Sequence, residues 1–275
     1  MTAADTAASG IAWADIHTPT RDLLRLEYRW IAPERRDAPL LVFLHEGLGS
    51  IAIWRDWPEQ VCAAAGCRGL VYSRYGYGQS TPRPAEEKLT PRYLHEQAHE
   101  VLPALLAALG VDAEADKPVF YGHSDGGSIA LLYAARYPQA VAGIAIAAPH
   151  IFVEDITVEG IRQARELYLT TDLRGRLARY HADVDSAFWG WNDAWLDPVF
   201  RDWNIEREVR DIRCPILAMQ GIGDHYGTLE QIRGIARLAP QTRLLEIPAC
   251  GHTPHKDQPK IVTRALVDFL RSLPR

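Results

Sequence analysis

Three side chains in one chain order, a serine, an aspartate and a histidine, have the types and settings that acyl-transfer chemistry needs. Ser124 stands in Gly122-His123-Ser124-Asp125-Gly126, a G-x-S-x-G pattern. An apolar run, Val119 to Tyr121, precedes it, and Ile129, Leu132 and Tyr133 follow at helical spacing. A strand that reverses sharply into a helix strains its middle residue and leaves no room for side chains two positions away, a demand that Gly122 and Gly126 meet. The strain holds a hydroxyl out at the sheet edge, where the helix N-terminus adds free N–H groups and the positive end of its dipole. The pattern is loose by itself, and a plain small-residue turn is its alternative.

The partners follow in order. Asp224 closes Gly221-Ile222-Gly223-Asp224 just beyond the apolar run Pro215 to Gln220, which puts a carboxylate on the same sheet edge as Ser124. Its alternative is to cap a helix over Leu229 to Leu238, for which Thr228 is better placed. His252 lies in a loop after the last strand, Thr242 to Ile247, from which an imidazole can lean over the serine and be oriented by Asp224. His225 adjoins the acid too closely to bridge it to the serine. His255 lies past Pro254 and leads away toward a helix from Asp257 to Leu270. Zinc held by His225, His252 and His255 lacks an H-E-x-x-H or His-x-His pattern. His95 and His99 have metal-ligand spacing on a helix from Thr90 to Leu109, with Thr90 as cap and Pro91 in the first turn, but no third ligand is patterned nearby and a solvated face is expected.

These residues need a scaffold, and the chain is long enough for one. With 275 residues and 47% hydrophobic content, one large core is expected. A net charge of -5 without a basic run argues against nucleic acid or an anionic membrane as partner. Cys62, Cys67, Cys214 and Cys250 lack zinc-type pairing and read as reduced core thiols of a cytoplasmic protein. The first ten residues are small and polar, without the charged and apolar regions of a signal peptide, and are expected to be mobile. Ile11 to His17 and Leu24 to Ile31 look like a half-exposed antiparallel pair. Leu40 to Leu44, Gly69 to Ser73 and Val141 to Ala148 read as buried strands of a parallel sheet, with a helix over Trp54 to Ala65 between the first two. From residue 150 to about 212 the texture changes to charged and aromatic, with Phe188, Trp189, Trp191, Trp195, Phe200 and Trp203 crowded together and no sheet-type run, which suggests a helical insertion. Each tryptophan by itself is expected to pack the insertion's own core, with one or two of the group facing a pocket.

The loop after Leu44, His45-Glu46-Gly47-Leu48-Gly49-Ser50, has two readings. Gly47-x-Gly49-x-x-Ala52 fits a dinucleotide fingerprint, with Ser73-Arg74 placed to hold the 2′-phosphate of NADP; two earlier strands and the downstream serine turn argue against it. The other is an oxyanion-hole loop.

Taken together, the His-x-x-x-Gly loop, Arg74-Tyr75-Gly76-Tyr77-Gly78-Gln79-Ser80, the serine turn and the order Ser124, Asp224, His252 resemble the α/β-hydrolase family from about Ile11 to the end. The resemblance implies a mostly parallel eight-stranded sheet with helices on both faces, a core of residues 1–149 and 213–275, and a helical cap of residues 150–212 after the sixth strand. It implies catalysis by Ser124, Asp224 and His252, oxyanion donors at the Gly47 and Asp125 amides, and no cofactor or metal. The departures are Glu46, where the family usually has glycine, and Ser73, where it often has aspartate. Glu46 is expected either to pair with Arg74 or another cation, or to face the pocket with Asp125; Trp189, Trp191 and Trp195 are the cap residues expected to meet substrate. The activity so implied is hydrolysis of small to medium apolar or aromatic carboxylic esters. Carbon-carbon bond hydrolysis, thioester hydrolysis and a non-catalytic scaffold are the alternatives.

Overall fold

Eight strands form one sheet among the residues that the computed structural model describes, 10–274. Most of the opening stretch expected to be mobile, residues 1–9, lies outside them. The strands are β1 (Ala12–Thr18), β2 (Arg21–Ile31), β3 (Leu40–Leu44), β4 (Arg68–Tyr72), β5 (Val119–His123), β6 (Gly143–Ala147), β7 (Ile216–Gly221) and β8 (Thr242–Ile247). Their spatial order is β1-β2-β4-β3-β5-β6-β7-β8. β2 runs antiparallel to both β1 and β4, and all later pairings are parallel. Parallel strands share one C-terminal edge, so the loops after β3, β5, β6, β7 and β8 can meet there.

The continuous apolar runs become strands covered on both sides. In β3, Leu41 and Phe43 join one core while Val42 and Leu44 join the other, and all five residues are buried. Helices Trp57–Ala65 and Pro259–Ser272 cover the first face; Leu102–Ala108, Asp125–Arg136 and Glu230–Leu238 cover the second. β8, at the edge, keeps a mixed exposure.

Between β6 and β7 the chain is helical, with Asp155–Thr170, Leu173–Leu177, Val184–Leu196, a 3-10 turn Pro198–Asp202 and Glu206–Arg210. A single β-bridge, Phe152 to Asn204, ties its two ends. Phe188, Trp191, Trp195, Phe200 and Trp203 belong to the same apolar cluster as one sheet face, so this segment is packed onto the sheet rather than on itself alone.

The helix expected from Thr90 to Leu109 is present without interruption from Tyr93 to Ala108, but it starts later and is not regular throughout. Thr90 Oγ1 accepts from the Arg92 amide, helix begins only at Tyr93, and Gln97–Val101 widens into a π turn. The cause is Pro103, which has no N–H to give the His99 carbonyl. That carbonyl accepts from the Tyr137 hydroxyl instead, at 2.9 Å. Nor is the His95/His99 face solvated: both are half-buried, with their rings 5.7 Å apart. His99 Nε2 lies 3.4 Å from the Leu132 carbonyl and His95 lies 3.8 Å from Glu208. No group of three metal-ligating side chains exists among the described residues.

Candidate active site

The serine turn closes as its glycines dictate. A Cβ on Gly122 would stand 2.2 Å from the Gly126 carbonyl oxygen, and one on Gly126 would stand 2.1 Å from that of Leu44. Ser124 itself takes φ 53° and ψ -119°, a conformation that a side chain adopts only under strain. The Ser124 carbonyl accepts from the Gly127 and Ser128 amides, which starts the helix. Asp125 is the first residue of that helix, so its N–H has no intrahelical partner.

Ser124 Oγ lies 3.0 Å from His252 Nε2, and His252 Nδ1 lies 2.9 Å from each oxygen of Asp224. A carboxylate accepts only, so Nδ1 carries the hydrogen and Nε2 turns its lone pair to the serine hydroxyl. Burial lowers the His252 pKa below its ordinary value, with Asp224 opposing; the imidazole is therefore neutral at pH 7. Burial pushes the Asp224 carboxyl up, but His252 and the Tyr226 amide outweigh it and hold it below the usual range. Two further donors fix this carboxylate: the Tyr226 amide at 2.8 Å and Gln220 Nε2 at 3.2 Å. Gln220 lies on β7 and is bound in turn to the Gly227 and Thr228 carbonyls, a role no sequence pattern signals. Thr228, expected to cap the next helix, stands one residue before its N-cap Leu229, with Oγ1 accepting from the Glu230 amide at 3.2 Å.

The loop after β3 is tied down by its backbone. The Glu46 carbonyl accepts from His45 Nδ1 at 2.7 Å, from Arg74 Nη2 at 2.8 Å and from the Gly49 amide at 3.0 Å. His45 Nε2 accepts from the Arg74 amide, so a neutral, buried His45 links the loops after β3 and β4. With the carbonyl of Glu46 turned to these donors, Gly47 lines the cavity.

The Glu46 side chain does not pair with Arg74. Arg74 is fully buried, with its Nη2 3.4 Å from Asp125 Oδ2, which also accepts from the Tyr93 hydroxyl at 2.9 Å. A wholly buried guanidinium cannot reach a cofactor phosphate either. Glu46 instead lies 3.5 Å from His123 Nδ1 and 3.9 Å from Lys256 Nζ. Burial raises its pKa, but His123 and Lys256 outweigh that and hold it well below the usual carboxylate range. His123 Nε2 donates to the His252 carbonyl at 2.7 Å, so Glu46 and His123 stand behind the backbone of His252.

A cavity of about 170 Å³ opens above Ser124. Glu46, Gly47, Asp125, Trp191 and Trp195 line it, together with Leu48, His150, Thr157, Ile161 and Tyr226, which the sequence did not single out. His150 stands just past β6 on the shared edge, a position that marks it in retrospect; burial, with His252 nearby, lowers its pKa to about 3. No lysine or arginine among the described residues lines this cavity. Trp189 is not part of it. That indole faces a separate depression with Arg83 and Lys88, under the Arg165 guanidinium 5.5 Å from its centroid, because it sits on the opposite side of helix Val184–Leu196 from Trp191 and Trp195.

Of the competing histidines, His225 is exposed. His255 does not lead away as expected. It turns inward, buried against Trp54, Trp57, Tyr121 and His123, with neither ring nitrogen hydrogen-bonded. The four cysteines are buried and free.

The model of the alpha/beta hydrolase family matches residues 41–265, and the chain belongs to that family. Among curated proteins it is 24% identical to the bifunctional esterase/perhydrolase DCH of Acinetobacter calcoaceticus, over 93% of this chain and 99% of that one. It is 27% identical to the pimeloyl-[acyl-carrier protein] methyl ester esterase of Xylella fastidiosa (strain M12), over 86% and 96%. Among solved structures, a thermophilic esterase from Thermogutta terrifontis superposes with a TM-score of 0.72 at 20% identity, over 94% of this chain and 98% of that one.

Proposed function

We propose that this protein is a serine carboxylesterase that hydrolyses small esters through an acyl-enzyme. The observation that carries the reading is the unbroken chain of hydrogen bonds from Ser124 Oγ through His252 to Asp224, at 3.0 Å and 2.9 Å. His252 Nε2 takes the proton as Ser124 Oγ attacks the ester carbonyl, and Asp224 holds the imidazolium that forms. The Gly47 and Asp125 amides donate to the oxyanion, as the first from the loop after β3 and the other from the helix start. His252 then gives its proton to the departing alkoxide. Water, deprotonated by the same imidazole, attacks the acyl-enzyme and releases the acid.

Residues 150–212 act as the cap over this site, and the ester sits between Trp191, Trp195 and Ile161 on one side and Ser124 on the other. Glu46 and Asp125 line the cavity but are paired outside it with Lys256 and Arg74, and no lysine or arginine among the described residues lines the cavity to receive an anionic acyl group, so a neutral acyl group is favoured. The names of the curated relatives support the ester class.

The test is labelling with a fluorophosphonate. Wild-type protein is expected to be labelled at Ser124 and to hydrolyse p-nitrophenyl butyrate. Ser124→Ala should lose the label and about 10⁴- to 10⁶-fold in rate while keeping its melting temperature. Near-native esterase activity in Ser124→Ala would sink the assignment.

A further inference from the structure

Of the indoles in the helical segment between β6 and β7, one presents its nitrogen to the space above Ser124. Trp195 also lines the cavity, but its Nε1 is sealed from it, as is that of Trp203, and Trp189 faces the other depression. The Trp191 nitrogen is not sealed, and it makes no hydrogen bond within the described residues. An indole N–H is a donor only, so whatever it meets in the cavity, water or the carbonyl oxygen of a bound ester, must accept from it.

Where this donor sits follows from Gly47. A Cβ on Gly47 would stand 2.2 Å from Trp191 Nε1, 2.4 Å from Cδ1 and 2.9 Å from Cε2. The five-membered ring therefore lies against the Cα of Gly47 in space that any side chain there would fill. This gives the glycine at 47 a reason beyond its own loop. Since Cβ lies about 2.5 Å from the amide nitrogen of its residue, Nε1 is within about 4.7 Å of the Gly47 nitrogen. Two N–H donors bonding one oxygen at about 2.9 Å each can stand as far as about 5.8 Å apart, so a single oxygen can accept from both. The indole is also held: Phe188 packs edge-on against it at 6.0 Å, and Gly47 abuts its five-membered ring. A donor fixed before substrate arrives needs no reorganisation when charge develops.

We infer that the Trp191 indole N–H is a third donor to the carbonyl oxygen of the bound ester, joining the Gly47 and Asp125 amides and supplied by the cap. The inference rests on the esterase reading above. It makes the cap a contributor to the chemistry as well as a wall of the pocket, since a donor to the developing oxyanion acts on kcat while an apolar wall acts on KM.

The experiment compares wild type with Trp191→Phe and Trp191→His on p-nitrophenyl acetate and butyrate. Trp191→Phe keeps an aromatic ring and removes the donor; kcat is expected to fall about 10- to 100-fold on both esters, with KM changed less than about threefold. Trp191→His restores a ring N–H and should recover part of the lost kcat. Affinity for an alkyl trifluoromethyl ketone, whose adduct with Ser124 carries the oxyanion, should fall in step with kcat/KM. A kcat within twofold of wild type in Trp191→Phe, or a loss confined to KM, overturns the inference. If the variants fail to fold, the wild type decides: on adduct formation one indole N–H resonance should move downfield in a ¹⁵N-resolved NMR spectrum, and if none moves the donor is not there. Should wild type resist both fluorophosphonate and ester, the esterase reading fails. Should it react normally while Trp191→Phe is unimpaired, only the role of Trp191 falls.

Discussion

Replacing Arg74 by methionine tests how the serine turn is braced. Arg74 and Asp125 are both buried, at 0% and 1% exposure, and Arg74 Nη2 also donates to the Glu46 carbonyl while its guanidinium lies 4.7 Å from the Tyr77 centroid. Methionine fills much of the volume but leaves the Asp125 carboxylate with the Tyr93 hydroxyl as its remaining side-chain partner at hydrogen-bond distance. Removing one member of a buried pair typically costs about 3 to 5 kcal/mol, because the other charge stays in a dry site. At about 2 to 4 °C per kcal/mol for chains approaching this size, the melting temperature should drop by about 6 to 20 °C. The loss should also depend on pH. Burial, the largest influence, already raises the Asp125 carboxyl above its usual range against the pull of Arg74 and Tyr93. A raised pKa means that the folded state binds the proton more tightly than the unfolded chain, so the associated stability is full at acid pH and lost as pH rises through the folded value. Without Arg74 that value rises further, and the deficit of Arg74→Met should be smaller at pH 5 than at pH 8. Urea denaturation of Arg74→Met, Asp125→Asn and the double variant at both pH values measures this. The double variant should recover stability relative to the sum of the singles. A cost under about 1 kcal/mol, additive and flat with pH, would refute the reasoning, since it is below any penalty expected for an unpaired buried carboxylate.

Two further outcomes follow from the site. Because burial lowers the His252 pKa and the base must be neutral, kcat/KM for p-nitrophenyl butyrate should hold until pH falls below 6.5. Asp224→Asn, which removes the group opposing that shift, should move this acid limb lower still and reduce kcat; a wild-type limb near pH 7.5 would contradict the assigned environment. The cavity of about 170 Å³ is comparable to the roughly 150 Å³ that accommodates a benzene ring, so acetyl to benzoyl esters should be accepted and octanoyl esters should be slower. Rates that climb steadily to octanoyl would show that the acyl group lies elsewhere.

What could be read from the chain alone is what short-range physics dictates. β3, β5, β6 and β7 stand out as continuous apolar runs because a strand covered on both faces needs no alternation. The serine turn is legible because its two glycines answer a steric demand within five residues. Asp224 and His252 are legible as candidates because each sits in the loop that follows a strand, and parallel strands send their ends to one edge. Other contacts join segments that no local pattern relates. Glu46 and Arg74 have opposite charge and lie in neighbouring loops, yet Arg74 is turned inward to Asp125 and Glu46 outward to His123 and Lys256. Three tryptophans within seven residues look alike in sequence, and only the rotation of helix Val184–Leu196 against the sheet sends Trp191 and Trp195 to the cavity and Trp189 away from it. The proline before His255 predicts a turn away from the site, whereas the aromatic space between Trp54, Trp57 and Tyr121 buries the ring. Spacing along a chain expresses sterics and periodicity over a few residues, whereas the partner of a charge and the direction of an indole depend on which distant surfaces pack together.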